Sequence, residues 1–71
     1  MEKTYLADLE LSDSGRVRFQ KVERDEQVFI DFRRQFKLED KWLFTKKGLQ
    51  LTREQFHEFR LLVDKVDDET K

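Results

Sequence analysis

Seventy-one residues with no cysteine and one histidine exclude a disulfide framework, a thiolate zinc site and a histidine-rich metal cluster. They allow one domain at most, and a chain so short buries only about 60% of the surface it exposes when unfolded. Self-association is the common staple that remains, so a dimer is expected before any motif is read.

The formal net charge is −1, but the charge is unevenly placed. Residues 1–15 carry one base and four acids, residues 16–53 eleven bases and six acids, and residues 54–71 three bases and six acids. The positive charge is confined to the middle of the chain, where a basic surface for an acidic partner would lie. At 44% charged and 37% hydrophobic residues the composition borders on that of disordered chains; regular periodicity and nine aromatic residues argue for a fold. No apolar run reaches the length of a signal segment or a membrane span, and the protein is expected to be intracellular, in cytoplasm, nucleoid or nucleus, with no membrane partner.

In chain order, Tyr5 to Leu11 alternates, with Tyr5, Ala7, Leu9 and Leu11 on one face and Leu6, Asp8 and Glu10 on the other: a first strand. Ser12-Asp13-Ser14-Gly15 is turn chemistry, with Gly15 able to take a positive φ. Arg16 to Arg24 alternates again, Val17 and Phe19 opposing Arg18, Gln20 and Val22. Asp25-Glu26-Gln27 is a short polar hairpin turn. Val28 to Lys37 predicts a third strand, with Val28, Ile30 and Phe32 on a core face and Phe29, Asp31, Arg33 and Gln35 on the other. Trp42 to Leu51 predicts a fourth.

The period then changes. Thr52 with Gln55 makes a capping box, and Leu51 with Phe56 is placed for the accompanying hydrophobic staple. Phe56, Phe59, Leu62, Val63 and Val66 recur at helical spacing, and the helix is expected to run to about Asp67, ahead of a frayed acidic tail. Leu61 lies off the stripe. The fold class is α+β: residues 1–71 form one domain, a curved four-stranded antiparallel sheet followed by one helix (β-β-β-β-α). One helix covers one sheet face and leaves the other open.

No enzyme is read from these residues. His57 sits on the helix flank as a solvated residue, no acid pair falls in a catalytic motif, and Gly15 and Gly48 stand alone rather than in a phosphate-cradling pattern. No cofactor is implied. Nucleic-acid chemistry finds support, because single strands are held by a basic track for phosphates and by aromatic faces for bases. Arg33 with Phe36, and Lys46 and Lys47 beside Trp42 and Phe44, supply both, and Arg18 and Lys21 of the second strand complete the candidate set. Gly48 could let a backbone approach closely. The structural alternatives are that Phe36 and Phe44 are core, that Trp42 is a lid on it, and that the lysines guard an edge strand.

VFIDFRRQF followed by KKGLQLTREQFHEF resembles the C-terminal domain of the transcriptional coactivator positive cofactor 4. That family shows a strand of the type V-L-I-D-I-R-E-Y-W, then R-K-G-I-S-L-x-x-E-Q-W opening a helix. The resemblance covers roughly Arg16 to Val66. It implies a homodimer of β-β-β-β-α subunits, helices packed at the interface, whose curved sheets bind single-stranded or unpaired DNA with little sequence preference. The family's strand arginine falls on Arg33, its stacking tryptophan on Phe36 and its basic pair on Lys46 and Lys47.

The departures lie at one edge. A basic residue of the family's second strand falls near Glu23, with Arg24 beside it. The basic hairpin tip is replaced by the shorter Asp25-Glu26-Gln27, and a further lysine falls near Leu43. Trp42 and Phe44 are candidates to compensate. The function expected is single-stranded DNA binding, with RNA not distinguished, in transcription, replication or recombination, together with proteins of those processes. Phe59, Leu62, Val63 and Val66 are the expected dimer contacts. The alternative is a protein-interaction module that docks a polymerase or regulator.

Overall fold

The computed structural model describes all 71 residues. Four strands, β1 (Glu2–Ser12), β2 (Gly15–Arg24), β3 (Gln27–Leu38) and β4 (Lys41–Thr52), precede one helix, α1 (Arg53–Glu69). The strands pair antiparallel in the order β1-β2-β3-β4, the meander that short hairpin links between alternating segments dictate. The strands run one to three residues further than the alternation alone marks, except at the end of β2, which falls at Arg24 as expected.

The three hairpins close on two-residue turns. Asp25 and Glu26 take φ of 52° and 64°, and Glu39 and Asp40 take 51° and 67°, the paired positive-φ conformation that matches strand twist. Neither turn contains glycine or asparagine, so both hold acidic residues where an L side chain is disfavoured. Asp25→Asn together with Glu26→Gly is therefore expected to stabilise the fold by about 1 kcal/mol, read as a raised urea midpoint at fixed protein concentration. Gly15 does not take the positive φ expected of it. It is buried, and a Cβ there would stand 3.2 Å from Ser12 Oγ, so packing against the turn explains the glycine better than conformation does.

Three irregularities interrupt the ladders; one, at Leu11, lies beside the β1–β2 turn, and the other two set which side chains of the sheet share a face. In β1 the register passes from Tyr5↔Gln20 to Ala7↔Phe19, which leaves Leu6 as one extra residue. An odd insertion reverses the alternation. Tyr5 therefore lies with Gln20 on the face opposite Ala7 and Leu9, and Leu6 joins Ala7 and Leu9 in lining the helix-side hollow; the single-face grouping of Tyr5, Ala7, Leu9 and Leu11 is corrected on this point. In β4 the register passes from Arg33↔Gly48 to Gln35↔Phe44, so Thr45, Lys46 and Lys47 oppose Arg34 alone. Two extra residues are an even insertion, and Trp42 and Phe44 keep the face of Arg33 and Gln35.

The helix starts on the expected capping box. Thr52 Oγ1 accepts from the Gln55 backbone N–H (3.2 Å), and Gln55 Oε1 accepts from the Thr52 N–H (3.0 Å). It ends at Glu69, two residues beyond the expected Asp67, where Thr70 Oγ1 donates to the Val66 carbonyl (2.8 Å). Only β3 and β4 touch it. Phe32 is the hub, its ring centroid 5.1 Å from Phe19, 6.0 Å from Phe56 and 5.5 Å from Phe59, distances at which edge-to-face rings attract.

The core of one chain is thin. Val22 and Ile30 are its only buried hydrophobic residues, and the helix buries none. On the helix side an apolar hollow of about 550 Å³ opens between the helix and the β1–β2 half of the sheet, lined by Leu6, Leu9, Phe19, Phe32, Phe59 and Val63 among others. Leu61, Leu62 and Val66 are more than half exposed beyond it. No helix is long and apolar enough to cross a membrane.

Candidate nucleic-acid interface

The helix-free face is concave, since one hollow on it is lined from all four strands: Lys3 of β1, Gln20 and Val22 of β2, Asp31 and Arg33 of β3, and Phe44, Thr45 and Gln50 of β4. Strand alternation brings three arginine–ring stacks to this face. The Arg16 guanidinium carbon lies 4.0 Å from the Trp42 ring centroid, Arg18 4.7 Å from Tyr5, and Arg24 4.8 Å from Phe29. Each pairs a flat cation with an aromatic face, an attraction of about 0.5–1 kcal/mol at exposed sites, and each leaves a planar, positively charged platform.

Carboxylates and amides hold the arginines in place. Asp8 Oδ1 accepts from Arg18 Nε (2.9 Å), its Oδ2 accepts from Arg18 Nη2 (3.1 Å), and Arg16 Nη1 lies 3.5 Å from that same Oδ2. Arg16 Nε also donates to Gln35 Oε1 at 2.6 Å. The hydrogen bonds from Arg18 hold the Asp8 carboxyl below the usual carboxylate range, and Asp8 in turn raises Arg18. A phosphate reaching Arg18 must therefore displace or share with Asp8. Arg33 has the more buried partner: its Nη2 donates to Asp31 Oδ1 (2.7 Å) and its Nη1 to the Lys46 carbonyl (3.2 Å), and the Asp31 side chain is only 6% exposed.

Gly48 makes that arrangement possible. A Cβ at Gly48 would collide with the Phe32 carbonyl and lie 2.9 Å from the guanidinium of Arg33. The glycine admits close approach, as its isolated place in the strand suggested, and the groups that approach are the neighbouring backbone and Arg33. Lys46 and Lys47 stand exposed in the β4 bulge, which Thr45 pins by donating from Oγ1 to the Arg34 carbonyl (2.7 Å).

The candidate residues thus divide. Arg18, Arg33, Trp42 and Phe44 share the concave face, with Lys46 and Lys47 at its β4 rim. Phe36 does not join them. The pairing of β3 with β2 is regular throughout, so residue 36 falls on the face of Ile30 and Phe32, opposite Arg33, and its ring is 42% exposed there. Lys21, opposite Ile30, also turns to the helix side, where it pairs with Glu23 at 3.0 Å. A period of two excludes both from the Arg33 surface of one chain. Sequence reasoning placed Phe29 on the Arg33 face but left it out of the candidate set, and it missed Arg16, Arg24 and Tyr5. Arg16 and Arg24 were detectable, since they share the even-numbered stripe with Arg18; Tyr5 was hidden by the Leu6 bulge.

No protein-family profile and no curated protein sequence matches this chain. Among solved structures, BPSL1147, a PC4 homolog from Burkholderia pseudomallei K96243, superposes in its orthorhombic crystal form with a TM-score of 0.84 at 16% identity, covering 93% of this chain and 90% of that one. The fold is PC4-like. The tetragonal form of the same protein gives a TM-score of 0.76 at 14% identity over 99% of this chain and 100% of that one. The PC4-like fold agrees with the motif resemblance of VFIDFRRQF and KKGLQLTREQF to positive cofactor 4.

Proposed function

We propose that this protein is a homodimeric single-stranded DNA-binding protein that holds exposed or unpaired strands, with little overall sequence preference, in transcription, replication or recombination. The observation that carries the reading is the concave face, where three arginine–ring platforms, Phe44 and the lysine rim lie together. Phosphates are neutralised by the rim lysines and by the arginines that Asp8 and Asp31 orient. Bases stack on the exposed rings, each stack contributing about 1–3 kcal/mol. A duplex has its bases already stacked and is too stiff to follow the curve of a small sheet. The PC4-like fold supports the same reading.

The homodimer rests on the other face. The helix covers the β3–β4 half alone and leaves Leu6, Leu9 and Val17 of the β1–β2 half uncovered, while Leu62 and Val66 project with nothing against them. Two such surfaces on one small chain are mutually complementary under a twofold axis.

Fluorescence anisotropy with labelled dT oligomers and a matched duplex, at two salt concentrations, tests the nucleic-acid reading. Tight dT binding that weakens steeply with salt, with the duplex weaker, is expected. Absence of dT binding would leave the interaction module as the better reading, with the acidic hairpin tips as its contact points.

A further inference from the structure

Gln20 lies on the floor of the concave hollow and is only 7% exposed, yet its side-chain amide makes no hydrogen bond within the chain. No buried side-chain polar atom lacks a partner, so the small part of Gln20 that remains accessible is its amide, which opens into the hollow it lines. An amide that opens into a hollow and has no partner within the chain is free to bond a ligand there. Beside it stands the Asp31 carboxylate, with Arg33 on Oδ1 and Oδ2 free of any hydrogen bond within the chain. Gln50, whose Oε1 is taken by Arg24 (3.1 Å), keeps its amide donors, and Phe44 stands 56% exposed at the rim.

We infer that this hollow is a base-reading subsite and that guanine is the base it favours. The inference rests on the single-strand reading above and adds one selective position to an otherwise sequence-tolerant surface. The hollow measures about 330 Å³, the small end of the range for ligand sites, about 300–1,000 Å³. Lys3 and Arg33 of the same lining suit the phosphate, and the Asp31 carboxylate selects among bases, since a base edge offers N–H groups that it accepts. Guanine alone among the DNA bases presents two adjacent donors, N1–H and N2–H, to one carboxylate on its pairing edge. Its O6 then accepts from the amide donor of Gln20, with Gln50 as a second donor, and Phe44 offers its ring as the stacking lid. Thymine sets carbonyl oxygens on both sides of its single N–H, and those oxygens meet Asp31 unfavourably.

The test is competition anisotropy of the full chain with dT oligomers carrying dG, dA, dC or dT at one central position. The dG oligomer is expected to bind roughly fivefold to tenfold more tightly than all-dT, in line with one good base-edge pairing. Gln20→Met, which keeps the volume and removes the amide, should shrink that ratio towards one. Asp31→Asn should abolish it, with circular dichroism checking the fold of both variants. Equal affinity for all four oligomers while dT binding and its salt dependence persist overturns the guanine subsite alone. A dG preference that Gln20→Met leaves intact overturns the role of this hollow. Loss of all single-strand binding by the unmodified protein would instead bring down the reading on which the subsite rests.

Discussion

Leu62→Asp is expected to turn a stable dimer into a monomer or an unfolded chain. In one chain Leu62 is 54% exposed, and Val63 and Val66 beside it are 46% and 58% exposed. This open stripe at helical spacing is the surface that the proposed homodimer would bury. Covering a leucine contributes about 1.5–3 kcal/mol, and twofold symmetry counts each change twice. Placing a carboxylate there adds its desolvation. The dimer should thus weaken by about 5 kcal/mol or more, over roughly a thousandfold in dissociation constant. Since two buried hydrophobic residues are a small core for 71 residues, loss of the dimer should take much of the folding stability with it. Sedimentation equilibrium of the unmodified protein at micromolar concentration should report a mass near twice 8.8 kDa. A single species near 8.8 kDa would end the dimer proposal.

Replacing both rim lysines, Lys46→Ala with Lys47→Ala, should weaken single-strand binding on every sequence tested and flatten the dependence of log affinity on log salt by about 1.4, since each phosphate contact to a single strand contributes about 0.7. The fold should survive: both side chains are exposed, and the Lys46 group that holds Arg33 is its backbone carbonyl, which alanine retains. Arg33→Ala should behave differently. It removes the partner of a carboxylate that is 6% exposed, so Asp31 is left buried and unpaired, at a cost on the order of 3 kcal/mol. Lost binding in that variant would therefore have to be separated from lost fold by circular dichroism. A double lysine variant that is folded and dimeric, yet binds dT with unchanged affinity and salt slope, would overturn the phosphate role of the rim.

The order β-β-β-β-α and the capping box at Thr52 and Gln55 were legible because they depend on local chemistry: alternation with a period of two, short polar links, and a side chain three residues from its backbone partner. The concave grouping of Arg18, Arg33, Trp42 and Phe44 was legible only in part. Arg33 and Arg18 follow from alternation within one strand, but Trp42 and Phe44 reach that face because the β4 bulge inserts an even number of residues. Tyr5 changed faces because the β1 bulge inserts an odd number. Nothing in the run TYLADLEL announces which residue bulges; pairing with β2 decides it.

Phe36 shows the converse. The motif drew it towards Arg33, whereas its own position in the period already placed it with Phe32, and the regular β2–β3 ladder enforces that. The unpaired amide of Gln20 belongs wholly to the tertiary structure. In sequence it is one polar residue in an alternating strand, and only the curvature of the sheet, which brings Lys3 and Phe44 over the floor from opposite edges, makes it a buried group facing a hollow. Local pattern determined which elements form, because it acts between residues a few positions apart. Register and curvature decided which side chains meet, because they depend on contacts between strands that the sequence keeps far apart.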